Sequence, residues 1–258
     1  MFFLTIVSTI LVAFAVQKMW FTPMPKGIRV LMYHKISTNE RNDLTVTCEQ
    51  LDNHLNYLQK NDYQCITTQQ VIDFYLYQKP LPPNPVLLTF DDGYENVLHY
   101  AYPILKKYDA KATLFITTAF VGSINQWDRG NDKIMSLSQL KKLCPATFEL
   151  GLHSHEHHNY KQLSLQQIEN DLRTNIDFFK NNGLNYTPAF AYPYGGCPQN
   201  ICSTFKEWGV QIAFRIGNKV NNFKINDLYA LKRIDVKGID DLDTFKLKVK
   251  KGRTKLIL

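Results

Sequence analysis

Val86-Leu87-Leu88-Thr89-Phe90-Asp91-Asp92-Gly93 is an apolar run that stops on two adjacent carboxylates. Pro80, Pro82, Pro83 and Pro85 precede it and Gly93 follows, so five residues with one hydroxyl among them read as a short buried strand. Successive side chains of a strand point to opposite faces, which sends Asp91 and Asp92 in different directions and lets them take different roles. Two neighbouring carboxylates resist joint ionisation unless something cationic lies close by. The histidine-rich stretch Gly151-Leu152-His153-Ser154-His155-Glu156-His157-His158 supplies a reason for such a cation: His153 and His157 are four apart and can converge with one aspartate on a single ion.

Working outward, strands and helices alternate. Ile28-Arg29-Val30-Leu31-Met32-Tyr33-His34 is an apolar strand that ends on a histidine. Thr47-Cys48-Glu49-Gln50 and Thr67-Thr68-Gln69-Gln70 read as capping boxes, the first opening a helix with Leu51, Leu55 and Leu58 on one face, the second a helix through Val71, Phe74 and Tyr75. A short strand near residues 63–66 lies between them. Beyond the aspartates, residues 94–108 are helical by spacing, with Pro103 a kink or second start. Residues 112–117 and 147–152 are strands, the second delivering His153, with a short helix at 136–143 before it. Ser164-Leu165-Gln166-Gln167 caps an amphipathic helix with Ile168, Leu172, Ile176 and Phe179 inward and Gly183 as its stop. Strands at 187–192, 210–214 and 229–236 follow, with a helix at 198–209. Such alternation implies parallel strands with right-handed crossovers, satisfied equally by a barrel or a doubly wound open sheet. The chemically loaded residues fall just past strand C-termini, where active sites of α/β barrels gather.

The ordered pair Thr89-Phe90-Asp91-Asp92-Gly93 and His153-Ser154-x-x-His157 resembles the first two motifs of the NodB-homology polysaccharide deacetylases, carbohydrate esterase family 4. Phe190-Ala191-Tyr192-Pro193-Tyr194-Gly195 stands where the third motif belongs, and the likeness spans about residues 27–236. Leu31-Met32-Tyr33-His34 is similar to the fifth motif, here placed first as in the circularly permuted poly-N-acetylglucosamine deacetylase branch. The resemblance implies a distorted (β/α) barrel of about seven parallel strands in one domain. It implies one divalent metal, zinc first with nickel or cobalt as alternatives, held by Asp92, His153 and His157. It makes Asp91 the base, His34 the acid and the Tyr194 backbone N–H an oxyanion donor, with acetate leaving an N-acetylated glycan. His155 and His158 fall outside this pattern. Two departures stand out. Ala191 sits where many members carry a base-orienting arginine, which leaves Arg233 and Asp235 as the substitutes on offer, and the fourth motif with its tryptophan is missing. A polymer of the poly-N-acetylglucosamine type leads among substrates. Peptidoglycan, a lipid-linked amino sugar and an O-acetyl ester are the alternatives, and a glycan-binding domain without catalysis is the reading from another class.

The 258 residues suffice for one large α/β domain, taken as 27–258 after a linker at 21–26. Lysines and arginines give a net charge of +7 but are scattered apart from residues 246–255, and no nucleic-acid motif accompanies them, so no nucleic-acid partner is expected. Residues 2–16 are uncharged and almost wholly apolar, a signal peptide or signal anchor within residues 1–20 that makes the membrane a partner and export or anchoring the expected location. The side of the membrane stays open. Five cysteines without C-x-x-C spacing indicate neither a disulfide framework nor a cysteine metal site. His54 and His99 read as structural or surface residues. The loop at 120–135, with Trp127 and Asp128, reads equally as a groove wall or as a surface loop with Trp127 as its plug.

Overall fold

In chain order the strands are β1 (Arg29–Tyr33), β2 (Lys35–Ser37), β3 (Thr45–Thr47), β4 (Gln64–Ile66), β5 (Pro85–Phe90), β6 (Ala112–Ile116), β7 (Phe148–Leu152), β8 (Ala189–Ala191), β9 (Ile212–Ile216) and β10 (Leu231–Asp235). The helices are α1 (Cys48–Lys60), α2 (Thr68–Tyr77), α3 (Tyr102–Lys107), α4 (Leu137–Lys141), α5 (Leu165–Asn181), α6 (Cys202–Glu207) and α7 (Leu242–Lys251). They come from a computed structural model that describes residues 23–128 and 130–254. The apolar stretch at residues 2–16 lies outside the described residues, among which no helix is long and apolar enough to cross a membrane.

β1 hydrogen-bonds in parallel to both β5 and β10, and this double pairing decides for a barrel over an open sheet. The circuit β1, β5, β6, β7, β8, β9, β10 is parallel throughout and closes with seven strands. β4 pairs only with the start of β5. A parallel barrel is covered on both faces, which is why β1, β5 and β6 are buried at every residue and read as unbroken apolar runs. Alternate residues divide between the two faces. Val30, Leu87, Phe115, Ala189, Ala191, Ile212 and Phe214 pack together inside, whereas Leu31, Leu88, Phe90, Leu114 and Ile116 join the layer formed with the helices. Gly151 stands opposite Phe115 in the ladder, and a Cβ there would run into the Phe115 ring.

The helices start where capping chemistry puts them. Thr47, Thr67, Ser136 and Ser164 each accept from the backbone of the residue three on, and Gln50, Gln70, Gln139 and Gln167 reach back, completing four capping boxes. Leu51, Leu55 and Leu58 of α1 are buried, as are Ile168, Leu172, Ile176 and Phe179 of α5. Each such side chain contributes about 1.5–3 kcal/mol by leaving water. Pro103 acts as a second start: a π-helical turn at Val97–Ala101 precedes α3, and the proline occupies its first turn, where a missing N–H costs nothing.

Three features go beyond the sequence reading. α2 plugs the N-terminal end of the barrel: its Val71 and Ile72 join the interior set, and Thr68 N–H donates to the half-buried Glu149 carboxylate at 2.7 Å. The small parallel pair β2–β3 was not read, nor was α7. His54 is structural as expected, buried with its ring 3.7 Å from that of Phe245 on α7 and its Nδ1 3.2 Å from the Tyr33 hydroxyl.

Candidate active site

Asp91 continues the ladder beyond β5, its N–H donating to Tyr33 O at 3.0 Å, and Asp92 then turns into the left-handed region at φ 73°. That turn separates the two carboxylates. Asp91 points to β10, where the Arg233 guanidinium grips both its oxygens at 2.6 Å each. Asp92 points to the loop after β7, where its Oδ1 lies 3.2 Å from His153 Nε2 and 3.1 Å from His157 Nε2. All four of these side chains on the acidic and basic sides are almost wholly buried: Asp91 and Asp92 are 2 % exposed, Arg233 1 % and His153 2 %.

The His153–His157 loop is folded by α5. Asp171 accepts from the backbone N–H of His155 at 2.9 Å, of Glu156 at 3.0 Å, and from the Tyr160 hydroxyl at 2.7 Å. Asn175, one turn on, donates to Ser154 O at 2.8 Å. These bonds hold Ser154 at φ 67° and His157 at φ 58°, conformations that cost energy for side-chain-bearing residues and persist where the surroundings over-determine them. The pattern needs a loop and not a helix, although the two histidines are four residues apart.

Asp92, His153 and His157 fit a divalent metal ion. Their candidate ligand atoms lie within 4.8 Å of one another, all on buried residues. His153 Nδ1 is 2.7 Å from Ala191 O, and because a carbonyl only accepts, Nδ1 carries a hydrogen and Nε2 is the ring atom left to meet an ion beside Asp92. Asp92 Oδ1 is buried without a hydrogen-bond partner, and it converges with the two ring nitrogens on one point, where a cation would satisfy all three. One carboxylate and two imidazoles leave coordination positions open, as in catalytic rather than structural zinc sites.

Charge keeps both aspartates ionised. Burial pushes the Asp91 carboxyl upward, but Arg233 first and then His153 and His34 outweigh it and hold it below its ordinary value. Asp92 is held well below the usual range, His157 and His153 overcoming its burial.

His34 follows β1, and its Nε2 stands 4.0 Å from Asp91 Oδ2, the oxygen that is also 4.0 Å from His153 Nε2. Its side chain is 15 % exposed, at the mouth of the site. Of the two residues offered on β10, Arg233 is the one on Asp91; the Asp235 carboxylate lies 3.8 Å from Lys237 Nζ, and burial raises its pKa against the opposing pull of His34. Tyr194, at φ 56° in the turn after β8, is 55 % exposed and sets its ring 4.8 Å from that of His157. His155 and His158 do not join the cluster: His155 Nδ1 meets Thr118 Oγ1 at 2.9 Å, and His158 is exposed beside Glu156. Trp127 is half-buried and packs against the core beside Phe120 and Tyr94, as a plug would, and its indole N–H also donates to Asp92 Oδ2 at 3.3 Å. Sequence reasoning passed over Asp171 and Asn175, although both break the polarity of the inward stripe of α5 and were visible for that reason.

The family profile described as polysaccharide deacetylase matches residues 78–213. The chain is 28 % identical over 207 residues to a poly-beta-1,6-N-acetyl-D-glucosamine N-deacetylase of Staphylococcus aureus, covering 77 % of this chain and 70 % of that protein. Among solved structures, IcaB from Ammonifex degensii superposes with a TM-score of 0.75 at 23 % identity, over 90 % of this chain and 100 % of the other. The Streptococcus pyogenes deacetylase PplD, in complex with acetate, gives 0.74 at 23 % identity, over 88 % and 99 %. At that identity the two structures speak for the barrel.

Proposed function

The chain belongs to the polysaccharide deacetylase family, and from that premise we propose that it hydrolyses N-acetyl groups from hexosamine residues of a poly-N-acetylglucosamine-type glycan, releasing acetate. The observation that carries the reading is the division of the two aspartates, one paired with a buried arginine and the other facing two imidazoles. Binding alone has no use for that division.

Asp92, His153 and His157 would hold the ion, zinc by first choice, with nickel or cobalt suited to the same nitrogen and oxygen donors. When bound, a divalent ion there supplies Lewis-acid polarisation of water and of the acetyl carbonyl. Asp91 takes the proton of the attacking water, and the two-pronged grip of Arg233 fixes its plane and keeps it anionic. His34, at the mouth and within reach of the same oxygen, gives a proton to the departing amine as the C–N bond breaks. Negative charge growing on the carbonyl oxygen meets the backbone N–H of Tyr194, in the turn that closes through Gly195 N–H to Tyr192 O at 2.9 Å. Water adds to the acetyl carbon, and acetate and a free amino sugar result.

The same proposal extends to location: residues 2–16 hold the chain at a membrane or export it. Their uncharged apolar sequence supports this. Fractionation is expected to recover full-length protein with membranes or outside the cell; a wholly cytosolic soluble pool contradicts it.

Metal content and acetate release measured together on Asp92→Asn and Asp91→Asn test the site. Asp92→Asn is expected to lose metal and turnover together. Asp91→Asn is expected to keep the metal while its rate falls roughly 10²- to 10⁴-fold, about 3 to 5 kcal/mol of barrier. Equal metal loss in both variants contradicts the division, and full activity in Asp91→Asn removes its role as base.

A further inference from the structure

We infer that Trp127 is a positioning residue for the metal ligand Asp92, and that an ion cluster centred on the buried Lys35 holds it in place. The inference rests on the metal site proposed above. A carboxylate has two oxygens, and a ligand that is to present only one of them needs the other restrained. Asp92 Oδ1 faces the two imidazoles, while Oδ2 receives the indole N–H of Trp127 at 3.3 Å. An indole N–H only donates, so it competes for no ion. The same indole lies over His157, with ring centroids 4.3 Å apart at 32°, and is backed edge-on by Phe120 at 5.0 Å. One side chain therefore touches two of the three ligands, fixing the carboxylate plane of one and the ring of the other.

The loop that carries Trp127 is anchored at the very next residue. Lys35 Nζ lies 2.7 Å from Asp128 Oδ2 and 2.6 Å from Asp132 Oδ2, and 4.8 Å from the centre of the Tyr94 ring. The Tyr94 hydroxyl donates to Asp128 Oδ2 at 3.2 Å, Gly130 N–H donates to Asp128 Oδ1 at 2.9 Å, and Asn125 bonds the same carboxylate. Lys35 is 7 % exposed, and a buried ammonium is tolerated only when paired and hydrogen-bonded. A loop with no task beyond covering the surface has no need of a buried lysine between two carboxylates. Lys35 also follows His34 directly, so one cluster ties the segment bearing the acid to the loop that steadies the metal ligand.

The test is calorimetric zinc titration of the purified full chain after removal of metal by a chelator, in the parent, Trp127→Phe and Asp128→Asn. Phenylalanine keeps an aromatic ring over His157 and removes the N–H. Zinc affinity is expected to fall about 10- to 100-fold in Trp127→Phe, the usual consequence of losing a partner of a ligand, with the circular dichroism and melting of the metal-free protein unchanged. The visible spectrum of the cobalt(II) form is expected to differ between Trp127→Phe and parent, because the freed Asp92 oxygen changes how the carboxylate meets the ion. Asp128→Asn is expected to weaken zinc binding in the same direction through the loosened loop. Parental affinity and spectrum in a folded Trp127→Phe overturn the inference while leaving the metal site standing, and parental affinity in Asp128→Asn overturns the part given to the cluster. A parent that takes up neither zinc nor cobalt overturns the metal site and this inference together.

Discussion

Arg233 reaches from β10 to grip both oxygens of Asp91, while the third-motif position holds Ala191, which has no charge to offer. Two substitutions separate its charge from its shape. Arg233→Lys keeps a cation but loses the planar fork, and is expected to lower kcat about 10- to 100-fold with metal content unchanged. Arg233→Met leaves a buried carboxylate unpaired, which costs about 3–5 kcal/mol and is expected to appear as a large drop in melting temperature. Elemental analysis, kcat and thermal denaturation of both variants check this, and wild-type kcat in Arg233→Lys contradicts the orienting role. This pairing was within reach of the sequence because Arg233 ends a predicted strand at the same rim. Arg233 and Asp235 are two apart and share one face of β10, so the choice between them depended on which level of the barrel meets Asp91, and a five-residue strand does not reveal its register against β1.

At the scale of elements, α5 was legible as an amphipathic helix but not as the part that shapes the metal-binding loop. Its apolar stripe is periodic, whereas Asp171 and Asn175 take meaning only from backbone groups of the loop at residues 153–157. Asp171→Ala strips partners from two backbone N–H groups and a buried tyrosine hydroxyl, each worth about 1–3 kcal/mol when left unpaired. Both lower thermal stability and weaker metal binding are expected, measured by melting and by zinc titration; loss of stability with parental zinc affinity separates the helix from the site. The capping boxes at Thr47, Thr67 and Ser164 were readable because they are local in sequence. β2 and β3 were not, being three residues each and paired only with one another, and the path of α2 across the barrel end was hidden because an apolar face at 3.6-residue spacing says nothing about which surface it will cover.

At the scale of the whole molecule, alternation of strand and helix left barrel and open sheet undecided, and closure rests on β1 pairing with strands more than fifty residues and some two hundred residues away, a distance that no periodicity carries. The join also sets an acid limit on stability. α1 and α7 meet over β1 at His54, whose pKa burial, aided by Lys248, pushes down to about 3. The folded protein thus binds this proton less readily than the unfolded chain, so between the unfolded value near 6.5 and about 3 stability falls as pH falls. From pH 7 to pH 5 the loss due to this residue is about 2 kcal/mol. Chemical denaturation at the two pH values is expected to show a smaller acid loss in His54→Phe than in the parent, and an unchanged difference contradicts the assignment. The central claim is that this barrel is a metal-dependent N-deacetylase, and the most direct measurement is acetate and free-amine release from β-1,6-linked poly-N-acetylglucosamine by the purified chain, before chelation, after it, and after zinc is restored. Equal amounts of acetate and free amine, abolished by the chelator and recovered with zinc, are the expected result; release indifferent to chelation, or none from any acetylated glycan with zinc bound, contradicts the claim.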